Sequence, residues 1–193
     1  DGSLNNGFEI VTAPASLNIH QKKWKNLLAH KVTQNLLSWQ TSTCGLHVHV
    51  SRRPISVSAL EHIMVFVNSD KTREEIIKLA GRISTQYARL EKKSPVYHLI
   101  DSQWDSRYEA VNLTNKNTIE FRIFKGTLSL RHVLADIEFC DAVVRWAMQS
   151  SVADAESWSS FWSYVNAPKR KGRYKNFRAY VELDNSCITD ESR

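Results

Sequence analysis

Two short stretches hold side chains whose types and spacing could do chemistry: His47-Val48-His49 and Glu120-Phe121-Arg122. In an extended chain, residues i and i+2 project to the same side, roughly 7 Å apart by strand rise. The first stretch therefore aligns two imidazoles, and the second a carboxylate with a guanidinium. Imidazole is a common metal ligand. A carboxylate suits a hard cation, and a guanidinium suits phosphate oxygens. Each pair also has an ordinary reading, a polar sheet surface for the histidines and a solvated cross-strand ion pair for Glu120 and Arg122. Glu9, the only acid in the stretch Phe8–Thr12, is a third candidate. Together, carboxylates and an imidazole form a mixed oxygen–nitrogen donor set suited to Mg²⁺ or Mn²⁺. An arginine beside them suits a transferring phosphoryl group. Cys44 precedes the histidine stretch, but no activating base stands at fixed spacing from it. His20, His30, His62, His98 and His132 show no pairing at ligand spacing, which weighs against a metal-dependent phosphoesterase.

These residues need strands to hold them. Leu46, Val48 and Val50 alternate with His47, His49 and Ser51, and Arg53-Pro54 ends the run. Tyr108–Leu113 and Thr118–Phe124 read as a hairpin around the polar turn Asn115-Lys116-Asn117, with Ile119, Phe121 and Ile123 opposite Thr118, Glu120 and Arg122. Phe8–Thr12 reads as a further strand, between Gly7 and Pro14. Helical periodicity predicts a helix over about 21–37, with Trp24, Leu27, Leu28 and Val32 as its stripe. A second follows the capping-box spacing Ser58…Glu61. A third opens at Thr72…Glu75 and carries Ile76, Leu79, Ala80, Ile83 and Leu90. Others are expected over about 129–149, with Cys140 in the core, and around Trp158, Phe161, Trp162 and Val165. The order predicts an α+β fold, with helices on one face of a mainly antiparallel sheet. Residues 1–150 are expected to form the core, and 151–193 a C-terminal helical and basic extension of the same domain.

The chain has 193 residues, 42% hydrophobic and 24% charged, an ordinary globular composition. No apolar run approaches the roughly 20 residues of a membrane span. Three widely spaced cysteines, Cys44, Cys140 and Cys187, fit reduced thiols in a cytoplasmic setting better than a disulfide framework. The formal charge of +6 suits polyanionic partners. Part of the excess is local: Lys169–Lys175 holds five basic residues in seven positions, and Arg178 follows. That segment reads as a solvated basic loop. The alternative is a polyanion site over Lys169–Arg178, in which Tyr174 and Phe177 would stack on nucleic-acid bases.

The segments taken together resemble the amidoligase family within the glutamine synthetase and glutamate–cysteine ligase-like superfamily of carboxylate–amine ligases. The resemblance lies in Asp1-Gly2-Ser3, Gly7-Phe8-Glu9-Ile10-Val11, Gly45–Ser51, Arg107-Tyr108 with Asn112, and Ile119–Leu128. It implies a curved, mainly antiparallel sheet whose concave face holds the site. It implies ATP-dependent formation of an amide or isopeptide bond through an acyl phosphate, from an amino-acid or peptide carboxylate and an amine. By position, His47 and Glu120 would bind Mg²⁺ or Mn²⁺, and Glu9 would belong to the other metal position or its amine-side neighbourhood. Arg122 would steady the transferred phosphoryl group, His49 would lie near the nucleotide, and Arg107 would bind phosphate or carboxylate. The Gly-x-Glu-x-Glu strand that such proteins usually carry first is not in this sequence, so the domain is expected without its first strand. The competing expectation is a non-catalytic module of the same fold.

Overall fold

The computed structural model describes residues 7–83, 88–91 and 108–184. Three strands form one antiparallel sheet in the order β1-β3-β2: β1 Gly45–Ser51, β2 Val111–Asn112 and β3 Thr118–Lys125. Among the described residues six α-helices accompany it: α1 Leu17–Leu28, α2 Val57–Asn68, α3 Arg73–Ala80, α4 Leu130–Ala147, α5 Trp158–Asn166 and α6 Lys175–Asp184. The molecule is thus mixed α and β, with a small antiparallel sheet.

The two alternating stretches become β1 and β3, and they pair. Their apolar sides, Leu46, Val48 and Val50 with Ile119, Phe121 and Ile123, join one core with α2, α3 and α4. Aromatic rings extend that core into the C-terminal helices. Phe139 of α4 meets Phe124 of β3 at 6.1 Å and Phe177 of α6 at 5.6 Å, edge to face. α4 is held to its neighbours by a buried acid as well. Glu138 accepts hydrogen bonds from the backbone N–H groups of Asn176 and Phe177 at 2.8 and 2.9 Å, and from Gln21 of α1 at 2.7 Å. It thereby satisfies two of the N–H groups that the first turn of a helix leaves without partners.

Five expectations about these elements need correction. Phe8–Thr12 forms no strand: residues 7–16 carry no regular element, and Phe8, Ile10 and Val11 are exposed. β-propensity alone does not make a strand where the backbone has no ladder to join. The helix expected over 21–37 is α1, Leu17–Leu28, followed by a 3₁₀ turn at Lys31–Asn35. α2 is capped by Ser56, whose Oγ accepts from Ala59 N–H, so the Ser58…Glu61 spacing was not the cap. α3 ends at Ala80, well short of Leu90, because Gly81 takes up φ 65°. A Cβ at Gly81 would meet the Trp39 ring at 2.3 Å, so only glycine fits this left-handed cap. The Thr72 hydroxyl does not cap α3 either; it donates to the carbonyls of Phe66 and Ser69.

The basic segment is not a peripheral loop. Tyr174 and Phe177 are fully buried, and α6 lies against α4. Among the described residues no helix is long and apolar enough to cross a membrane, and Cys44 and Cys140 are free thiols.

Candidate functional site

Strand register builds the site. His49 of β1 and Asn112 of β2 both stand opposite Glu120 of the central strand. Directly opposed residues share a face of the sheet, so histidine, carboxylate and amide form a row across it. Asn112 Nδ2 donates to Glu120 Oε2 at 2.7 Å. The Asn112 amide is itself oriented, because its Oδ1 accepts from the N–H and hydroxyl of Thr114 at 2.9 and 2.8 Å.

A bulge brings in the rest. Leu46 pairs with Phe124 and Val48 with Phe121, so Arg122 and Ile123 together oppose the single residue His47. Such a bulge increases local twist and re-aims side chains. Here His47 Nδ1 lies 3.1 Å from Glu120 Oε1, and Arg122 Nη1 donates to that same oxygen at 2.7 Å. His49 Nε2 stands farther off, at 3.8 Å. The Glu120 side chain is only 10% exposed, whereas that of His49 is 52% exposed, so the row opens to solvent on the β1 side.

Burial would push the Glu120 carboxyl up. The His47 hydrogen bond, the Arg122 charge and the Asn112 amide outweigh it and hold the carboxyl at about 2. It is therefore an anion at any physiological pH, and a permanent acceptor facing cationic or hydrogen-bonding groups.

Of the residues expected to act, His47, His49, Glu120 and Arg122 come together. Glu9 does not join them: it is exposed, in the irregular segment before α1. Arg107 lies outside the described residues, as do Asp1-Gly2-Ser3 and Cys187. Asn112 entered the sequence reading only through a motif and carried no role there. Its contact with Glu120 becomes visible only in the register. Arg82, just past the α3 cap, was marked by nothing in the sequence. Its Nε donates to Ile123 O at 2.9 Å and its Nη2 to Arg122 O, so it holds the bulge at both carbonyls.

The donor chemistry of Glu120, His47 and His49 is of a kind that divalent ions accept. The arrangement nevertheless falls short of a metal site. Among the described residues no group of three or more His, Cys, Asp or Glu side chains could hold a metal ion. Glu120 Oε1 is shared with Arg122, and Oε2 is taken by Asn112.

The other polar cluster lies between α4, α5 and the segment that leads into α6. A cleft of about 370 Å³ is lined by Arg145, Gln149, Tyr164, Arg170, Arg173 and Tyr174, among others. Its charges are largely answered from within. Asp141 accepts from both Arg173 and Arg145, and Arg170 stacks on Tyr164 at 3.8 Å. Tyr174 and Phe177 are core residues, so neither offers a ring to a nucleic-acid base. What the basic segment exposes is Lys169, Lys171 and Lys175.

No curated protein and no solved structure matches the chain. The sequence model of a family described as "Putative amidoligase enzyme" matches residues 67–144, the stretch that contributes Arg82, Asn112, Glu120 and Arg122 to the polar face.

Proposed function

We propose that the polar face of this sheet is the site of an ATP-dependent carboxylate–amine ligase. The observation that carries the proposal is the Glu120 carboxylate, buried and fixed as an anion between Asn112, Arg122 and His47, within the stretch that matches the amidoligase family. The reaction has two steps. A carboxylate oxygen of an amino acid or peptide attacks the γ-phosphorus of ATP, forming an acyl phosphate as ADP leaves. The amine nitrogen then attacks the acyl carbon, phosphate departs, and the nitrogen loses a proton to give the amide or isopeptide bond.

The side chains of this chain divide that work. Arg122 is the guanidinium for the transferring phosphoryl group, where developing negative charge is best stabilised by a positioned cation. Glu120 and Asn112 keep it aimed. His49, half open to solvent, is the proposed neighbour of the nucleotide, and Arg107 a proposed contact for phosphate or carboxylate. A divalent ion, Mg²⁺ or Mn²⁺, would be held in this reading by His47 and Glu120; Glu9, exposed in the segment before α1, stands apart from them. The described residues leave its ligand set incomplete, so the steps above are assigned to the chain's own groups. The fold proposed with this function is that of the glutamine synthetase-like catalytic domain.

The test is ADP release and hydroxamate formation from a panel of amino-acid and peptide carboxylates, with ATP, Mg²⁺ or Mn²⁺, and hydroxylamine as the amine. Wild type is expected to turn over, and Glu120→Ala and Arg122→Gln to lose at least about a hundredfold in rate. ATP turnover unaffected by either substitution, or none with any acceptor, refutes the reading.

A further inference from the structure

The cleft beside α4 is lined by three guanidiniums, and a single carboxylate answers two of them. Asp141, Arg145 and Gln149 follow one another at intervals of four, so they share one side of α4 and its end. Arg170 and Arg173 come from the segment that leads into α6. Arg145 commits only its Nε, at 3.0 and 3.1 Å from the two oxygens of Asp141. Arg173 gives Asp141 its Nε and Nη2, at 2.8 and 2.9 Å. Arg170 forms no ion pair among the described residues. It stacks on the Tyr164 ring at 3.8 Å and makes two long bonds, 3.5 Å to Tyr164 O and 3.3 Å to Gln149 Oε1. Burial acts against the Asp141 anion, but its bonds to Arg173 and Arg145 outweigh that and hold the carboxyl below its ordinary range. Asp141 does not line the cleft, and no other acid among the described residues does. Three positive charges and one negative leave an excess of two at a single cavity.

Two of these guanidiniums are held by a carboxylate and the third by a ring, so little rotamer freedom remains to be lost when an anion arrives. The carbonyls at the end of α4 do not take up the remaining donors. Those of Val144, Arg145 and Trp146 already accept from Met148 N–H, from the Gln149 side chain, and from the N–H groups of Gln149 and Ser150. A phosphoryl dianion matches the excess of two, and its tetrahedral oxygens can accept from guanidiniums arriving from different directions. The volume, about 370 Å³, is that of a small-molecule site rather than of a bare ion. Met148, half exposed, and the Tyr164 ring offer an organic body an apolar wall. Tyr174 and Phe177 are buried, so the cleft presents one focus of charge and not a track of stacking rings. We propose that Arg145, Arg170 and Arg173 bind the phosphoryl group of a small phosphomonoester. No residue of this cleft belongs to the row at Glu120, so the two sites stand or fall separately.

The test is calorimetric titration of the full chain with phenyl phosphate and with benzoate, at physiological ionic strength and pH 7.5, where a phosphomonoester carries close to two charges. The two probes share a ring and differ in the anionic group. Phenyl phosphate is expected to bind at least about tenfold more tightly than benzoate, and Arg170→Gln and Arg145→Gln are each expected to weaken it by about tenfold, the scale of one charge-assisted contact. Lys116→Gln, which removes the same charge from the exposed hairpin turn, is expected to leave the affinity within about twofold. Arg170→Gln removes the stack on Tyr164 and can loosen the segment before α6. Arg145→Gln decides in that case, because Arg145 is 55% exposed and Asp141 keeps its bonds from Arg173 and Tyr174. A folded Arg145→Gln chain with unchanged affinity overturns the proposal. So does a wild type that binds phenyl phosphate no better than benzoate, or a loss in Lys116→Gln equal to that in the arginine variants, which would mean net charge and not a site. A single-stranded RNA that displaces phenyl phosphate and binds far more tightly, with the same loss in Arg145→Gln, would make the ligand a nucleic acid and overturn the assignment to a small phosphomonoester.

Discussion

Glu120→Gln keeps the shape of the central side chain and removes only its charge, so it isolates what the anion contributes. In the native chain both carboxylate oxygens accept, Oε1 from Arg122 at 2.7 Å and Oε2 from Asn112 at 2.7 Å. An amide has one acceptor oxygen, so its NH₂ must face one of those donors, and Arg122 loses the negative charge of Glu120 in a setting that leaves it 17% exposed. The carboxyl sits at about 2, against an ordinary value of 4.5. That difference makes ionisation worth about 3 kcal/mol to the folded state at neutral pH, an upper value that solvent on the β1 side reduces. Because the folded value is depressed, the contribution is present above the ordinary carboxyl value. It is lost as pH falls from about 4.5 towards about 2. Urea unfolding of wild type and Glu120→Gln at pH 7 and at pH 2.5 measures it. The variant is expected to be less stable by about 2–3 kcal/mol at pH 7, with most of the gap closed at pH 2.5. A variant as stable as wild type at pH 7, or a gap that does not narrow in acid, refutes the charge network described for Glu120.

Three further outcomes follow from the fold. Gly81→Ala, which places a Cβ against Trp39 at a left-handed position, should cost about 3 kcal/mol; calorimetry giving less than about 1 would contradict the assigned cap. Glu138→Ala removes the acceptor for the Asn176 and Phe177 N–H groups, and should cost about 2–4 kcal/mol. Hydrogen exchange should quicken first at the start of α6, and uniform loss of protection would argue against that capping role. Burial raises the Asp136 carboxyl well above its ordinary value, so at neutral pH folding must take up a proton there or bury a charge. Asp136→Asn should therefore unfold at a higher temperature than wild type at pH 7, with the advantage gone below the ordinary carboxyl range; a variant that melts lower at pH 7 would contradict this.

Much of this protein was legible locally. The alternation at 46–51 and 118–123 marked both long strands and the side that each would bury, because a period of two needs only near neighbours to express it. Asn115-Lys116-Asn117 placed the hairpin turn, and the periodic stripes found α4 and α5. The short-range patterns also picked out His47, His49, Glu120 and Arg122. What they left open was whether these residues face solvent separately or face one another.

Tertiary structure decided that question. Glu120 meets His49 and Asn112 through strand register, and His47 and Arg122 converge through a bulge that no period reveals, because a bulge depends on how two distant segments pair. Arg82 took its place only when Gly81 ended α3 against Trp39 and turned the chain towards the carbonyls of β3. Phe8–Thr12 had the composition of a strand and no ladder to join, whereas Tyr174 and Phe177, set in a run of basic residues, went into the core because α4 offered Phe139 and Asp141 to receive them. Propensity and periodicity act over a few residues, and they determined the elements. Pairing, bulges and burial depend on partners far along the chain, and they alone decided which of the reactive side chains share a site.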